Sequence, residues 1–140
     1  MTITTTTRRK KVSVPVPTES EEAKLLVKWW ALTCRTYGVP ENALVHIPNE
    51  GKRSFRMGKK LKDEGLRPGT PDYFLAAPRP PYSGLWIELK RTKGSVVSDN
   101  QRDMLALLEG QNYAVDICYG AVQATQAIKE YLSRSTNESI

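Results

Sequence analysis

Three residues set the chemical question. Asp72 follows a proline at the head of the apolar run Pro71-Asp72-Tyr73-Phe74-Leu75-Ala76, and Glu88 and Lys90 lie two apart in Leu85-Trp86-Ile87-Glu88-Leu89-Lys90. On an extended strand, residues two apart face the same side, so the Glu88 carboxylate and the Lys90 ammonium project together while Leu89 points the other way, into a core. If the two runs pair as a hairpin, Asp72 comes opposite this pair, subject to the register that the connecting loop allows. Two carboxylates and a backbone carbonyl from the same strand offer hard oxygen ligands to one or two divalent ions, a set that suits Mg²⁺ or Mn²⁺. Such an ion polarises a phosphoryl oxygen, supplies a hydroxide nucleophile at neutral pH and offsets charge on a leaving oxygen. A lysine beside it orients or deprotonates the attacking water, or stabilises the pentacovalent phosphorus through its charge. The pieces match phosphodiester hydrolysis.

Taken alone, a PD followed by ExK is weak, because short common residues recur in this spacing by chance. The plain alternative is a pair of solvent-facing carboxylates with Lys90 simply paired to Glu88. Context favours chemistry: Ile87 and Leu89 bracket Glu88 in a strand that reads as buried, where an uncompensated charge is costly. The rest of the composition narrows the choice further. His46 is the one histidine, which leaves no material for a serine triad or a multi-histidine zinc site, and it reads as a strand residue rather than a ligand. Cys34 and Cys118 are far apart and belong to no CxxC pair, so both read as reduced core residues.

The elements that must position these groups follow from the pattern along the chain. At 140 residues, with 39% hydrophobic residues and a net charge of +6, one small domain with a single core is expected. No run approaches the roughly 18 apolar residues of a membrane helix, and no apolar leader opens the chain, so a soluble, intracellular protein without a membrane partner is expected. Thr18 or Ser20 caps a first helix that runs to about Tyr37, with acids in its first turn and Ala23, Leu26, Val27, Trp30 and Ala31 at helical spacing. Gly38-Val39-Pro40 ends it, and Ala43 to Ile47 reads as a strand. A short helix spans Met57 to Glu64, with Gly65 as its C-cap. Asp72 to Ala76 and Leu85 to Lys90 form a hairpin with a proline-stiffened loop. Ser98 opens the next helix and Gly110 closes it, Tyr113 to Tyr119 is a strand, and Ala121 to Leu132 is a final amphipathic helix. The order α-β-(short α)-β-β-α-β-α describes a mixed β-sheet flanked by helices, an α/β fold. Trp29, Trp30 and Trp86 read as core, with a partner surface as the alternative for Trp29.

Charge is distributed unevenly. Residues 1–17 are Thr-rich, then basic at Arg8-Arg9-Lys10-Lys11, then alternate Val and Pro without helical periodicity, which describes a flexible basic arm: a solvated tail or a phosphate-contacting one. Residues 51–69 hold seven Lys and Arg against two acids, a net +5, either a phosphate-facing surface or an ordinary solvated loop and helix. The domain proper is expected over 18–133 and a polar tail over 134–140.

Four separated motifs in order, Pro48-Asn49-Glu50-Gly51, Gly69-Thr70-Pro71-Asp72, Leu85 to Lys90 and Ser98-Asp99-Asn100-Gln101, resemble the VRR-NUC nuclease domain. That domain is a branch of the PD-(D/E)xK superfamily, found in Fanconi-associated nuclease and in small stand-alone phage or bacterial proteins. The resemblance runs from about Glu19 to Leu132. Thr70 stands where the family usually has Val, a departure that leaves Asp72 in register. It implies a restriction-endonuclease-like core in which Asp72, Glu88 and the Leu89 carbonyl ligate Mg²⁺ or Mn²⁺ and Lys90 serves the attacking water. It also implies a Glu of the first helix near the metals. Glu22 fits best, with Glu19 and Glu21 as neighbours whose other role is to complement the helix dipole. Gln101 matches the family's Gln beside the catalytic strand, although Ser98 with Gln101 also makes a capping box. Asn49, Lys52, Arg53 and Lys59 fall in the segment resembling the substrate-facing loop, where they would touch DNA phosphates.

The implied function is a metal-dependent endonuclease acting on DNA. With little surface for reading sequence and no helix-turn-helix or zinc module, branched substrates such as junctions or flaps are expected. A homodimer, with two active sites for a two-fold symmetric junction, and the cytoplasm of a bacterial or phage-infected cell are the corresponding expectations. Two other classes stand beside it: a non-catalytic nucleic-acid-binding protein on the same fold, and a purely structural or interaction domain.

Overall fold

A computed structural model describes residues 13–48 and 55–136. The chain forms α1 (Glu19–Thr33), a 3₁₀ turn (Cys34–Tyr37), a second (Glu41–Ala43), β1 (Leu44–His46), α2 (Phe55–Asp63), β2 (Tyr73–Leu75), β3 (Leu85–Lys90), α3 (Asp99–Gly110), β4 (Ala114–Tyr119) and α4 (Ala121–Leu132). The four strands make one sheet in the order β1-β2-β3-β4, antiparallel between β1 and β2 and between β2 and β3, and parallel between β3 and β4. A parallel pair needs a crossover, and α3 provides it. The expected α/β fold with a mixed sheet is therefore the observed one.

Element ends depart from the sequence pattern for local reasons. Thr18 caps α1: its hydroxyl accepts from the Glu21 N–H at 3.1 Å, and its own N–H donates to the Glu21 carboxylate at 2.7 Å. The helix stops being α-helical at Thr33 and tightens into the 3₁₀ turn before Gly38. β1 is shorter than the apolar run because Glu41–Ala43 coils into the second 3₁₀ turn, yet backbone bonds continue on both sides of the strand, from Ile47 N–H to the Asp72 carbonyl and from Ala76 N–H to the Ala43 carbonyl. α3 runs through Gly110, and the left-handed residue after it is Asn112 at φ 67°, not the glycine.

The core lies between the sheet and the pair α1 and α4. Leu26 and Trp30 of α1, Tyr73 and Leu75 of β2, Leu85, Ile87 and Leu89 of β3, Cys118 of β4 and Ala124 and Ile128 of α4 are all buried in one cluster. Trp29 packs against this cluster, with the Lys129 ammonium over its ring. Val27 and Ala31, expected among the core residues, are exposed instead, since the buried stripe of α1 runs through Glu22, Leu26 and Trp30. Cys34 and Cys118 are buried free thiols, as their isolation predicts.

Candidate active site

Strand β3 separates two environments. Leu85, Ile87 and Leu89 alternate into the core, so Trp86, Glu88 and Lys90 face the other side, where α3 lies. Glu88 is only 1% exposed and Lys90 9%. The Lys90 ammonium stands 3.5 Å from Glu88 Oε1. Gln101, in the first turn of α3, completes the arrangement. Its Nε2 donates to Glu88 Oε1 at 2.7 Å, and its Oε1 accepts from Lys90 Nζ at 3.0 Å. The same Oε1 accepts from the Ser98 N–H at 2.9 Å, while the Ser98 hydroxyl accepts from the Gln101 N–H. The capping box and the contact with β3, which read as competing explanations of Gln101, are both present in one side chain. A buried carboxylate and ammonium are costly unless paired and hydrogen-bonded; here the amide supplies the bonds to both.

Asp72 sits one residue before β2, which pairs Tyr73 with Ile87. Its backbone stays in the ladder with β1: the Asp72 carbonyl accepts from the Ile47 N–H at 2.7 Å and lies 3.1 Å from His46 Nδ1, which therefore carries the hydrogen. Its side chain turns to β3, where Oδ2 accepts from the Leu89 N–H at 2.7 Å. The N–H and C=O of one strand residue leave on the same edge, so the Leu89 carbonyl is directed to the Asp72 side. Two glycines permit the approach of the flanking elements. Gly69, at φ +81°, brings the Thr70-Pro71-Asp72 segment against the backbone of Asn100 and Gln101, where a Cβ would overlap main-chain atoms. Gly120, at φ +93°, donates its N–H to the Lys90 carbonyl at 2.8 Å and leaves room for the Thr92 methyl, which a Cβ there would crowd.

The three acids of the first turn of α1 have three different positions. Glu21 closes the Thr18 box. Glu22 is buried, and its Oε2 accepts from the Ala121 N–H at 2.6 Å, a charge placed on the positive end of α4. Glu19 lines a cavity of about 570 Å³ together with Lys24, Val27, His46, Asp72 and Leu89.

The model of the VRR-NUC domain family matches residues 14–122, which includes α1, the whole sheet and all of Asp72, Glu88, Lys90 and Gln101. The chain belongs to the VRR-NUC domain family. The solved structure of a VRR_NUC domain protein superposes with a TM-score of 0.72 at 22% identity, over 84% of this chain and 90% of that one, a likeness of fold. No curated protein matches this chain.

In this VRR-NUC domain Glu88, Leu89 and Lys90 lie on β3 and Gln101 on the helix facing it, and Asp72, just before β2, reaches the Leu89 N–H. The structure seats Glu22 on α4. Lys59 is exposed on α2, and Asn49, Lys52 and Arg53 lie outside the described residues. Among the described residues, no three His, Cys, Asp or Glu side chains converge on one point. The Asp72 and Glu88 carboxylates and the Leu89 carbonyl are the hard oxygens that could hold a metal here, a donor type whose chemistry would suit Mg²⁺ or Mn²⁺ better than a thiolate- or imidazole-preferring ion. Lys24 and Lys28, four apart on the exposed side of α1, border the Asp72 cavity and were not singled out by sequence. The helical spacing of Ala23, Val27 and Ala31 was the available signal: all three line the cavity, and of them Ala23 also packs against the core.

Proposed function

We propose that this chain is a metal-dependent endonuclease that hydrolyses phosphodiester bonds of DNA, with branched structures such as junctions and flaps as its substrates. The observation that supports it most is the convergence of the Asp72 carboxylate on the Leu89 backbone, within the strand that carries Glu88 and Lys90. A buried acid held by Gln101 and Lys90 on one side, with a second acid bound to the adjacent peptide, is an expensive arrangement that phosphoryl chemistry accounts for and simple packing does not.

In this reading Asp72, Glu88 and the Leu89 carbonyl hold Mg²⁺ or Mn²⁺, which when bound supplies Lewis acidity toward a phosphoryl oxygen. Gln101 holds Glu88 Oε1 and Lys90 Nζ in fixed relation, so neither must reorganise when substrate arrives. Lys90 orients the attacking water and offsets charge developing on the phosphoryl oxygens. Water oxygen bonds to phosphorus as the bond to the leaving oxygen breaks, the water gives up a proton to solvent, and the leaving oxygen takes one up from solvent. Glu22 is a positioning residue: it holds the start of α4, whose Gly120 N–H bonds the Lys90 carbonyl. Of the first-turn acids, Glu19 is the one that faces the Asp72 cavity. A homodimer presents two such sites to a two-fold symmetric junction.

The test is to incubate the purified chain with end-labelled four-way junction, flap, single-stranded and duplex DNA in Mg²⁺, Mn²⁺ or EDTA. Metal-dependent cleavage of the branched forms is expected, abolished by Asp72→Ala or Glu88→Ala while binding persists. Binding without cleavage in any metal would establish the non-catalytic alternative instead.

A further inference from the structure

We propose that the cavity between α1 and the sheet is a subsite for one unpaired nucleoside of the DNA strand being cut, next to the scissile phosphate. The cavity borders the candidate metal site, because Asp72 and Leu89 both line it. Its volume of about 570 Å³ is that of a site for a small organic molecule and exceeds what a lone phosphate needs. Its wall on α1 is largely apolar. Ala23, Val27 and Ala31 fall on one row of the helix, a turn apart, and Val27 keeps 44% of its surface exposed. On the sheet side the buried Tyr73 and Leu89 form the floor.

Two features single out a nucleoside as the occupant. One is aromatic. The exposed His46 lines the cavity with its ring centroid 5.0 Å from that of Tyr73, and the bond between its Nδ1 and the Asp72 carbonyl fixes the ring in place. Imidazole is a ring on which unpaired bases stack, and every base offers a face to it. The other feature is charge. Lys24 and Lys28, both exposed, stand beside the apolar row, about 6 Å from each other along the helix axis. An apolar pocket edged by ammonium groups complements a base and sugar carried between phosphates, which a wholly apolar side chain does not match. A paired base must first leave its stack to enter, whereas a flap or an open branch point supplies an unpaired nucleotide without that cost.

That the partner is DNA is taken from the proposed function, which this subsite deepens by naming the form of DNA it accepts. Binding of the full chain is measured in EDTA, where cleavage plays no part. The labelled DNAs are a duplex with a short flap, the same duplex with a flap of abasic residues, and the fully paired duplex. The parent should bind the flap with bases at least about fivefold more tightly than the abasic one. Val27→Met and Ala31→Met together, which fill the cavity without adding a ring, should bring that ratio below about twofold. His46→Ala, which removes the ring, should at least halve it. Lys24→Gln with Lys28→Gln should weaken both flaps alike, since both carry the phosphates. Each variant is checked for folding by circular dichroism. A parent ratio below about twofold, or the parent's ratio kept in both the filled variant and His46→Ala, would overturn the subsite while leaving the nuclease reading intact. Failure of the parent to bind any of these DNAs at low salt would instead overturn the DNA reading and the subsite with it.

Discussion

The Asp72 carboxylate accepts the Leu89 N–H at 2.7 Å, so the side chain of one strand takes a backbone bond of the next. Through that bond the PD segment is tied to the peptide immediately following Glu88, and the order of the two motifs in the chain becomes a fixed spatial relation. Asp72→Asn retains an oxygen that can accept this bond but loses the charge. It should fold with a melting temperature within a few degrees of the parent, as measured by circular dichroism, and lack nuclease activity. Asp72→Ala leaves the Leu89 N–H without its partner and should cost about 1–3 kcal/mol in urea unfolding.

Gln101 and Ser98 can be separated experimentally. Ser98→Ala removes the hydroxyl that accepts the Gln101 N–H and should cost about 1 kcal/mol, the ordinary worth of an N-cap, with cleavage largely kept. Gln101→Ala removes the bonds to Glu88 and Lys90 as well. Its cleavage rate under saturating DNA should fall by at least an order of magnitude, a loss several times that of Ser98→Ala, with little change in DNA binding. Equal rates for the two variants would reduce Gln101 to a cap.

Glu22 is distinguished from a metal ligand by its isostere. Glu22→Gln retains an oxygen acceptor for the Ala121 N–H and should keep most of the activity, whereas Glu22→Ala, which leaves a buried helix terminus without a partner, should lower stability by about 1–3 kcal/mol and activity with it. Activity lost in Glu22→Gln without loss of stability would make this carboxylate a ligand.

Much of this was legible in the residues. Alternation in Leu85 to Lys90 predicted that Glu88 and Lys90 share a face and Leu89 a core, because the side-chain period of a strand is strict. The two roles of Gln101 were both readable, one from the Ser98 spacing and one from the family motif. What was not legible depends on contacts distant in sequence. Glu22 meets Ala121 only because α1 packs on α4, and nothing in the first turn of α1 distinguishes an acid that caps a remote helix from one that faces a cavity. Val27 and Ala31 read as core because apolar spacing does not say which of two adjacent helical stripes is covered.

Cys118 gives a pH dependence. Burial, and secondarily the Asp116 charge, push its thiol up to about 12 from 9.0. A group whose folded pKa is raised binds its proton more tightly in the fold, so its contribution is fully present below pH 9 and is lost as pH rises from 9 toward 12. Native protein should resist iodoacetamide at pH 8 and react once unfolded in urea. Cys118→Ala should show a shallower loss of stability between pH 9 and pH 11 than the parent, by up to about 1.4 kcal/mol per pH unit.

If Asp72 and Glu88 bind a hard divalent ion together, Mn²⁺ titration of the DNA-free protein, followed by electron paramagnetic resonance, reads that binding without substrate or cleavage. Saturable binding to the parent is predicted, weakened at least tenfold in Asp72→Asn and in Glu88→Gln, each shown by circular dichroism to be folded. Mn²⁺ affinity unchanged in both variants would mean that these two carboxylates are not the metal ligands.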